Sequence, residues 1–379
     1  MEFSLKNSVK TVIETIEKAG GEAYIVGGCV RDLLLSRKPE DFDIATSLLP
    51  DEILNLFPKT FSTGLKHGTV TVVIDKENIE VTTFRTDGAY SDSRHPECVN
   101  FVKNISDDLA RRDFTINAMA YNDKVGLIDL NGGLNDLNKK ILRTVGNPKK
   151  RFKEDALRIL RLFRFSAQLG FKIEENTLNT ALDMANLLQN ISRERIATEL
   201  FKTICSDYPS NINPILEIGA FEFCKIKRGK ITSDLSLLPR ERNLRFYEFI
   251  HQLNSDPILV AKELKTDKKL LAICMEINDI IDSPPNSFTN CKLLLKDYSI
   301  EAVKYSLWLN GMNDEIVKNT INRGEPYLIN HLMINGNDLK QLGINGKSIG
   351  KTLNDLLVYV INHPDKNTKK DLLNFICNN

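Results

Sequence analysis

AYIVGGCVRDLLL (residues 23–35) is followed, after a five-residue polar spacer, by DFDIATS (41–47). Ala23–Val26 is short, apolar and runs into two glycines, which predicts a strand. Cys29–Leu35 predicts a helix and Asp41–Ser47 a second strand. Gly27 and Gly28 allow a backbone to approach a ligand closely. Residues i and i+2 of a strand share a face, so Asp41 and Asp43 are expected to project together, with Phe42 turned the other way. Upstream, Val9, Val12, Ile13 and Ile16 recur at helical spacing until Gly20-Gly21 stops the run. Downstream, GTVTVVIDKENIEVTTFR (68–85) has two β-branched runs around a polar turn, a hairpin pattern. Residues 86–106 are polar and read as a loop, and 107–121 read as a helix. The first 145 residues are therefore mixed α/β. After Pro148 long helical runs take over: RFKEDALRILRLFRFSAQLG (151–170), TLNTALDMANLLQNI (177–191) and SRERIATELFKTI (192–204). Pro209-Ser210 and Ser283–Asn286 are plausible joints.

The chain has 379 residues, enough for two or three domains. With 42% hydrophobic and 27% charged residues it has an ordinary globular composition, neither disordered nor fibrous. A formal net charge of +1 excludes a generally cationic protein. That total hides a local excess: residues 111–165 hold thirteen basic and six acidic side chains, a balance of +7. The seven cysteines are odd in number, widely spread and without a CxxC pair, which argues against a disulfide framework or structural zinc and for a reducing compartment. No stretch approaches the roughly 20 apolar residues of a membrane span, and the N-terminus lacks the pattern of a signal peptide. A cytoplasmic location is expected.

Two neighbouring carboxylates repel unless a cation lies between them. Hard oxygen ligands suit Mg²⁺, which borrows further ligands from water and substrate phosphates. Asp41 and Asp43 are the candidate metal ligands, and Glu80, between Ile79 and Val81 in the hairpin, can supply a third carboxylate. A lone DxD is most often a solvated strand end. The upstream glycines and an acidic residue on a following strand reverse that reading toward phosphoryl chemistry, and Arg31, one helical turn on, can neutralise phosphate charge. In the tail, GKSIGKT (346–352) has Gln341 and Asn345 where a P-loop needs glycine, so a P-loop NTPase is excluded. The five histidines show no metal-binding spacing and none precedes an Asp, which argues against an appended metal phosphohydrolase domain. Trp308 reads as core.

VGGCVRDLLL with DFDIATS resembles the first motif of the class II tRNA nucleotidyltransferases, the CCA-adding enzymes and their bacterial poly(A) polymerase relatives, within the polymerase-beta-like superfamily. RRDFTINAMA (111–120) resembles the second motif, and Glu154-Asp155-Ala156-Leu157-Arg158 resembles the nucleotide-selecting motif. Residues 129–146 resemble the hinge motif, 191–204 the neck helix and 334–357 the tRNA-contacting tail. Residues 82–102, with Arg85, Asp87, Tyr90, Asp92 and Arg94, resemble the flexible loop of members that add the terminal A. The match over 206–330 is confined to helical character.

The resemblance implies an α+β fold. Its polymerase-beta-like nucleotidyltransferase head (1–145), a mixed sheet with helices, is followed by an all-helical neck that selects the nucleotide (146–205), body (206–300) and tail (301–379). It implies template-independent transfer of CMP and AMP from CTP and ATP to the 3′ end of tRNA, with Mg²⁺ and release of pyrophosphate. The partner is tRNA, through its 3′ end and acceptor/T arm, with neither DNA nor membrane. Alternatives of the same fold are an A-adding enzyme, a CC-adding enzyme or a poly(A) polymerase. A non-catalytic RNA-binding protein is a reading of another class.

The implied roles are catalytic for Asp41, Asp43 and Glu80, and phosphate-holding for Gly27, Gly28, Arg31 and one or both of Arg111 and Arg112. Asp113 accepts from a ribose 2′-OH, with Asn117 expected on the same helical face. Asp155 and Arg158, read as one helical strip with Arg161, choose the base. Asp155 accepts from the amino group that cytosine and adenine share, where guanine and uracil present a carbonyl. Arg161 and Arg164 are expected to assist with the triphosphate or with base stacking.

Overall fold

The computed structural model describes residues 3–87 and 99–378. Two compact units emerge, Met1–Ser236 with Gln252–Asn254 and Leu237–His251 with Ser255–Asn379. Among the described residues, no helix is long and apolar enough to cross a membrane.

The first unit opens with helix α1 (Asn7–Lys18), whose Val9, Val12, Ile13 and Ile16 are buried as the spacing predicts. Strand β1 (Ala23–Val26), helix α2 (Gly28–Leu34) and strand β2 (Asp43–Thr46) follow, then α3 (Pro50–Leu56), β3 (Thr60–Gly64), β4 (Thr69–Ile74) and β5 (Glu77–Thr83). β4 and β5 form the expected hairpin. Its turn is only Asp75-Lys76, both at positive φ, the backbone a two-residue hairpin turn requires. Short strands β6 (Arg85–Asp87) and β7 (Val99–Phe101) pair antiparallel. Next come α4 (Ile105–Ala110), β8 (Ala120–Asn122), β9 (Gly126–Ile128), α5 (Gly133–Lys139) and β10 (Ile141–Leu142). The seven-stranded sheet has the order β3-β4-β5-β2-β1-β8-β9. β2 and β5 are parallel and the other neighbours antiparallel, so the sheet is mixed. Ile25, Ile44, Val70, Val72, Val81 and Tyr121 join α1 in the core of this region.

The sheet register places the first motif. Val26, the last residue of β1, lies opposite Asp43, the first of β2. Asp43 in turn lies opposite Glu80 of β5. The Gly27-Gly28 turn and two carboxylates therefore emerge at one end of the sheet.

The unit continues with α6 (Pro148–Glu154), α7 (Leu157–Leu169), β11 (Lys172–Ile173), α8 (Glu175–Asp183), α9 (Arg193–Ile204) and α10 (Asn213–Glu217). β11 pairs in parallel with β10, so one short strand interrupts the otherwise helical remainder. The second unit is helical, from α11 (Arg242–Gln252), α12 (Pro257–Glu263) and α13 (Lys268–Ile280) through α14 (Phe288–Asp297), α15 (Ile300–Leu309) and α16 (Glu315–Asn322) to α17 (Gly336–Gln341), α18 (Lys347–Asn362) and α19 (Lys369–Asn378). Leu339, Leu356, Leu357, Val360 and Leu372 form one core there.

Three local expectations are corrected. Asp41 precedes β2 rather than lying within it, so the two aspartates are not an i, i+2 pair of one strand. Residues 107–121 are not one helix: α4 stops at Ala110, Thr115–Asn117 makes a 3-10 turn, and Ala120 already begins β8. Residues 151–170 are two helices, because Asp155 is extended at φ −142, ψ 106 between α6 and α7. An Asp side chain competes for nearby backbone N–H groups and favours helix starts over interiors. Here it accepts from the Leu157 N–H at 3.0 Å, where α7 begins.

Candidate active site

At the sheet end that carries Gly27, Asp43 and Glu80, a cleft of about 590 Å³ opens within the first unit. Its lining includes Gly27, Gly28, Arg31, Asp43, Glu80, Arg111, Arg112, Asp113, Asn117, Asp155, Arg158 and Arg161. Residues singled out from four separate segments thus meet in one place. Asp41 and Arg164 are not in that lining. Asp41 is exposed and borders a smaller pocket with Lys6, Glu40 and Glu77. Arg164 is buried, 2.6 Å from Glu199, with its guanidinium 4.0 Å from the centre of the Phe165 ring. Of the loop residues, Tyr90, Asp92 and Arg94 lie outside the described residues, as does the side chain of Asp87. Arg85 lines the cleft and donates to the His67 carbonyl.

The carboxylates concentrate negative charge. Burial pushes the Asp43 carboxyl above its ordinary range, Glu80 opposite pushes the same way, Arg112 offsets part of this, and Asp41 adds to the rise. Facing them, Gly27 sits at φ +78 in the turn from β1 into α2. A Cβ on Gly27 would lie 3.0 Å from Arg112 Nη1, so that guanidinium rests directly on the glycine backbone. Arg31 Nη1 donates to Asn117 Oδ1 at 2.8 Å.

The RRDFTIN segment keeps Asp113 and Asn117 together without a helix. Asn117 Nδ2 donates to Asp113 Oδ1 at 3.3 Å, and the Phe114 N–H donates to the same oxygen at 2.8 Å. Arg161 gives Nε and Nη2 to Asp113 Oδ2 at 2.8 and 2.6 Å. Burial would raise the Asp113 carboxyl, but Arg161, with Arg158 further off, holds it at about 2. An ionised carboxylate has about four acceptor positions, and all are engaged here. The turn is anchored from α5: Thr115 Oγ1 donates to Asp136 at 2.7 Å, and Gly133 packs so closely on the Thr115 carbonyl that a side chain there would collide.

The break between α6 and α7 turns Asp155 into the cleft. Its Oδ2 accepts from Arg195 Nη2 of α9 at 2.9 Å. Arg195 also lines the cleft, and its Nη1 is buried with no hydrogen-bond partner among the described residues. Arg158 gives Nη1 to Glu154 at 2.6 Å and to the Arg151 carbonyl at 3.3 Å, and Nη2 to the Arg111 carbonyl at 3.2 Å. Its Nε–H has no hydrogen-bond partner among the described residues and remains available as a donor. Arg31, Arg161 and Arg164 surround the Phe165 ring at 5.3, 5.3 and 4.0 Å. Sequence reasoning had not singled out Arg195 or Phe165. Arg195 lies in the stretch read as a neck helix, and only the packing of α7 against α9 brings it to Asp155.

The sequence model of the poly A polymerase head domain matches residues 23–143, and one described as a probable RNA and SrmB-binding site of polymerase A matches 170–223. The CCA-adding enzyme of Pediococcus pentosaceus is 37% identical over 383 residues, covering 97% of this chain and 96% of that protein. The CCA-adding enzyme of Lactobacillus helveticus is 52% identical over 191 residues, 50% of this chain and 48% of that one. Among solved structures, the Bacillus stearothermophilus CCA-adding enzyme in complex with CTP superposes with a TM-score of 0.83 at 29% identity, covering 97% of this chain and 96% of that one. The Thermotoga maritima CCA-adding enzyme complexed with tRNA shares the fold, with a TM-score of 0.65 at 21% identity over 98% and 95% of the two chains.

Proposed function

Because the chain belongs to the CCA-adding enzymes, tRNA nucleotidyltransferases with a poly A polymerase head, we propose that its cleft transfers CMP and AMP from CTP and ATP to a tRNA 3′ end. The observation that carries this reading is the facing of two in-register carboxylates, Asp43 and Glu80, by a wall of guanidiniums in one cleft. The substrates it fits are polyanions with a nucleobase. The 3′-hydroxyl of tRNA attacks the α-phosphorus, and pyrophosphate leaves.

Asp43, with Glu80 opposite it in the cleft, would hold Mg²⁺, and Asp41, which lies outside the cleft lining, would join it as the second aspartate of the motif. An Asp43 carboxyl raised by burial and by Glu80 despite Arg112 fits a site that takes a hard dication. No group of three potential ligands forms among the described residues, yet one or two carboxylates suffice, since Mg²⁺ keeps waters and takes substrate phosphates. The ion supplies charge neutralisation at the reacting phosphate.

Gly27 and Gly28 let the triphosphate lie close to the backbone, while Arg31, Arg111 and Arg112 neutralise it. Asp113 accepts the ribose 2′-OH in exchange for its longest bond, the 3.3 Å one from Asn117. Asp155 reads the amino group of cytosine or adenine, and Arg158 donates to acceptors on the same edge. Arg195 holds Asp155 in place for this, and Arg161 and Arg164 support the wall through Asp113 and Phe165. The head (1–145), neck (146–205), body (206–300) and tail (301–379) divide the work, the last contacting tRNA, in the cytoplasm.

The test offers the full-length protein three tRNAs, ending before CCA, at CC and complete, with CTP, ATP or both, and sequences the 3′ ends. Addition of CCA to the first and A to the second, with no extension of the third, is expected. Addition of only C or only A, or poly(A) extension of the complete tRNA, would overturn it.

A further inference from the structure

Among the described residues, the carboxylate that touches two cleft-lining guanidiniums, Asp108, is not itself in the cleft lining. Asp108, on α4, is 1% exposed. Its Oδ1 accepts from Arg111 Nε and Nη2 at 3.0 and 2.6 Å, and its Oδ2 from Arg112 Nε and Nη2 at 3.2 and 2.9 Å. Each oxygen thus takes one side-on guanidinium fork. Arg112 and Arg111, in that order of effect, hold the Asp108 carboxyl below its usual range although burial opposes this.

This arrangement does more than pack two side chains. A fork held through Nε and Nη2 has its plane set by two bonds, and its Nη1 donors are turned away from the carboxylate. For Arg112, that Nη1 lies against Gly27, where the proposed triphosphate site begins. Two guanidiniums share one negative charge, so a net positive charge remains for an anion. A free arginine would lose rotamer entropy on binding; one already clamped does not. α4 ends at Ala110, so Asp108, Arg111 and Arg112 stand on either side of the chain's exit from the helix, and the carboxylate ties the exit to the helix.

We infer that Asp108 is a positioning residue for polyphosphate, acting through Arg111 and Arg112 by presenting them as a pre-set pair at the Gly27 turn. The inference rests on the proposed reading of this cleft as a nucleotide site. Asp108 itself touches no substrate.

The test measures binding of inorganic tripolyphosphate to the full-length protein by titration calorimetry, and separately the KM for CTP and ATP and the KM for tRNA. Asp108→Asn keeps shape and loses the charge that orders the forks. It is expected to weaken tripolyphosphate binding and raise KM for both nucleotides by a common factor of about 10 to 100, with tRNA KM within about twofold. Asp108→Glu should recover part of the loss. In a double-mutant cycle, Asp108→Asn added to Arg112→Gln should cost less than the product of the two single losses, because both remove one interaction. Tripolyphosphate binding within twofold of wild type in folded Asp108→Asn would overturn the inference. So would multiplicative losses in the cycle, or a tRNA KM rising with that for nucleotide. If Asp108→Asn fails to fold, Asp108→Glu against Arg112→Gln decides by the same criterion. Failure of wild type to add CMP or AMP would count against the proposed function alone, since the tripolyphosphate measurement needs no turnover.

Discussion

Replacing Arg161 by Met isolates one partly buried charge pair of the cleft, Arg161–Asp113. Arg161 contributes two bonds, at 2.8 and 2.6 Å, to an Asp113 carboxylate that is 8% exposed. Burial would raise that carboxyl, yet it lies at about 2 against an ordinary 3.8. Linkage makes that drop worth about 2 kcal/mol of folding free energy. The Arg161 side chain is 34% exposed, so water screens part of the attraction, and a loss of about 1–2 kcal/mol in Arg161→Met is expected at pH 7. The sign with pH follows from the lowered carboxyl. Its contribution is fully present above the unfolded value of 3.8 and is lost as pH falls through about 2. In the variant, burial acts without its main opponent, the carboxyl rises, and protonation on acidification relieves it. The stability gap should therefore be nearly constant from pH 7 to 5, fall to roughly two-thirds by pH 3, and close as pH falls through about 2. Urea unfolding of both proteins by far-ultraviolet circular dichroism at pH 7, 5, 4 and 3 measures it. A gap unchanged at pH 3, or one below about 0.3 kcal/mol at pH 7, would refute the charge-pair argument.

Arg158→Ala removes the cleft-lining donor near Asp155, so misincorporation of UMP or GMP should rise by about tenfold or more while tRNA affinity stays near normal; unchanged nucleotide preference in 3′-end sequencing would exclude base reading. Asp43→Asn should lower CMP and AMP incorporation together by about a thousandfold with CTP binding largely kept, and chelation of Mg²⁺ should have the same reversible effect; normal turnover in chelator would remove the metal from the reaction. Gly27→Ala puts a Cβ 3.0 Å from Arg112 Nη1 at a backbone φ of +78, so nucleotide KM should rise roughly tenfold with a stability loss of about 1–3 kcal/mol in thermal unfolding; an unaltered KM would show that Arg112 does not need that surface.

The helices and strands of the head were largely legible because their apolar periods are local. α1, β1, α2 and the β4–β5 hairpin follow from four to fifteen residues each. The expected helix over 107–121 failed for a physical reason. Phe114 bridges to Thr144 and Thr115 bonds to Asp136 and the Arg143 carbonyl, so long-range partners outcompete the helical ladder. Asp155 broke the second expected helix because its carboxylate satisfies the Leu157 N–H and the Arg195 guanidinium, neither available in an isolated helix.

The side-chain types needed for the proposed chemistry, and which segments carry them, could be read from the linear chain: carboxylates near glycines, arginine pairs, an Asp three residues before an Arg. Their relations to one another could not. That Asp43 faces Glu80 rather than forming a strand pair with Asp41 depends on the parallel register of β2 and β5. That Arg161 belongs to Asp113 and Arg195 to Asp155, 48 and 40 residues apart, depends on burial. Within a low-dielectric interior each charge must find an opposite one, and the nearest is set by packing rather than by distance along the chain.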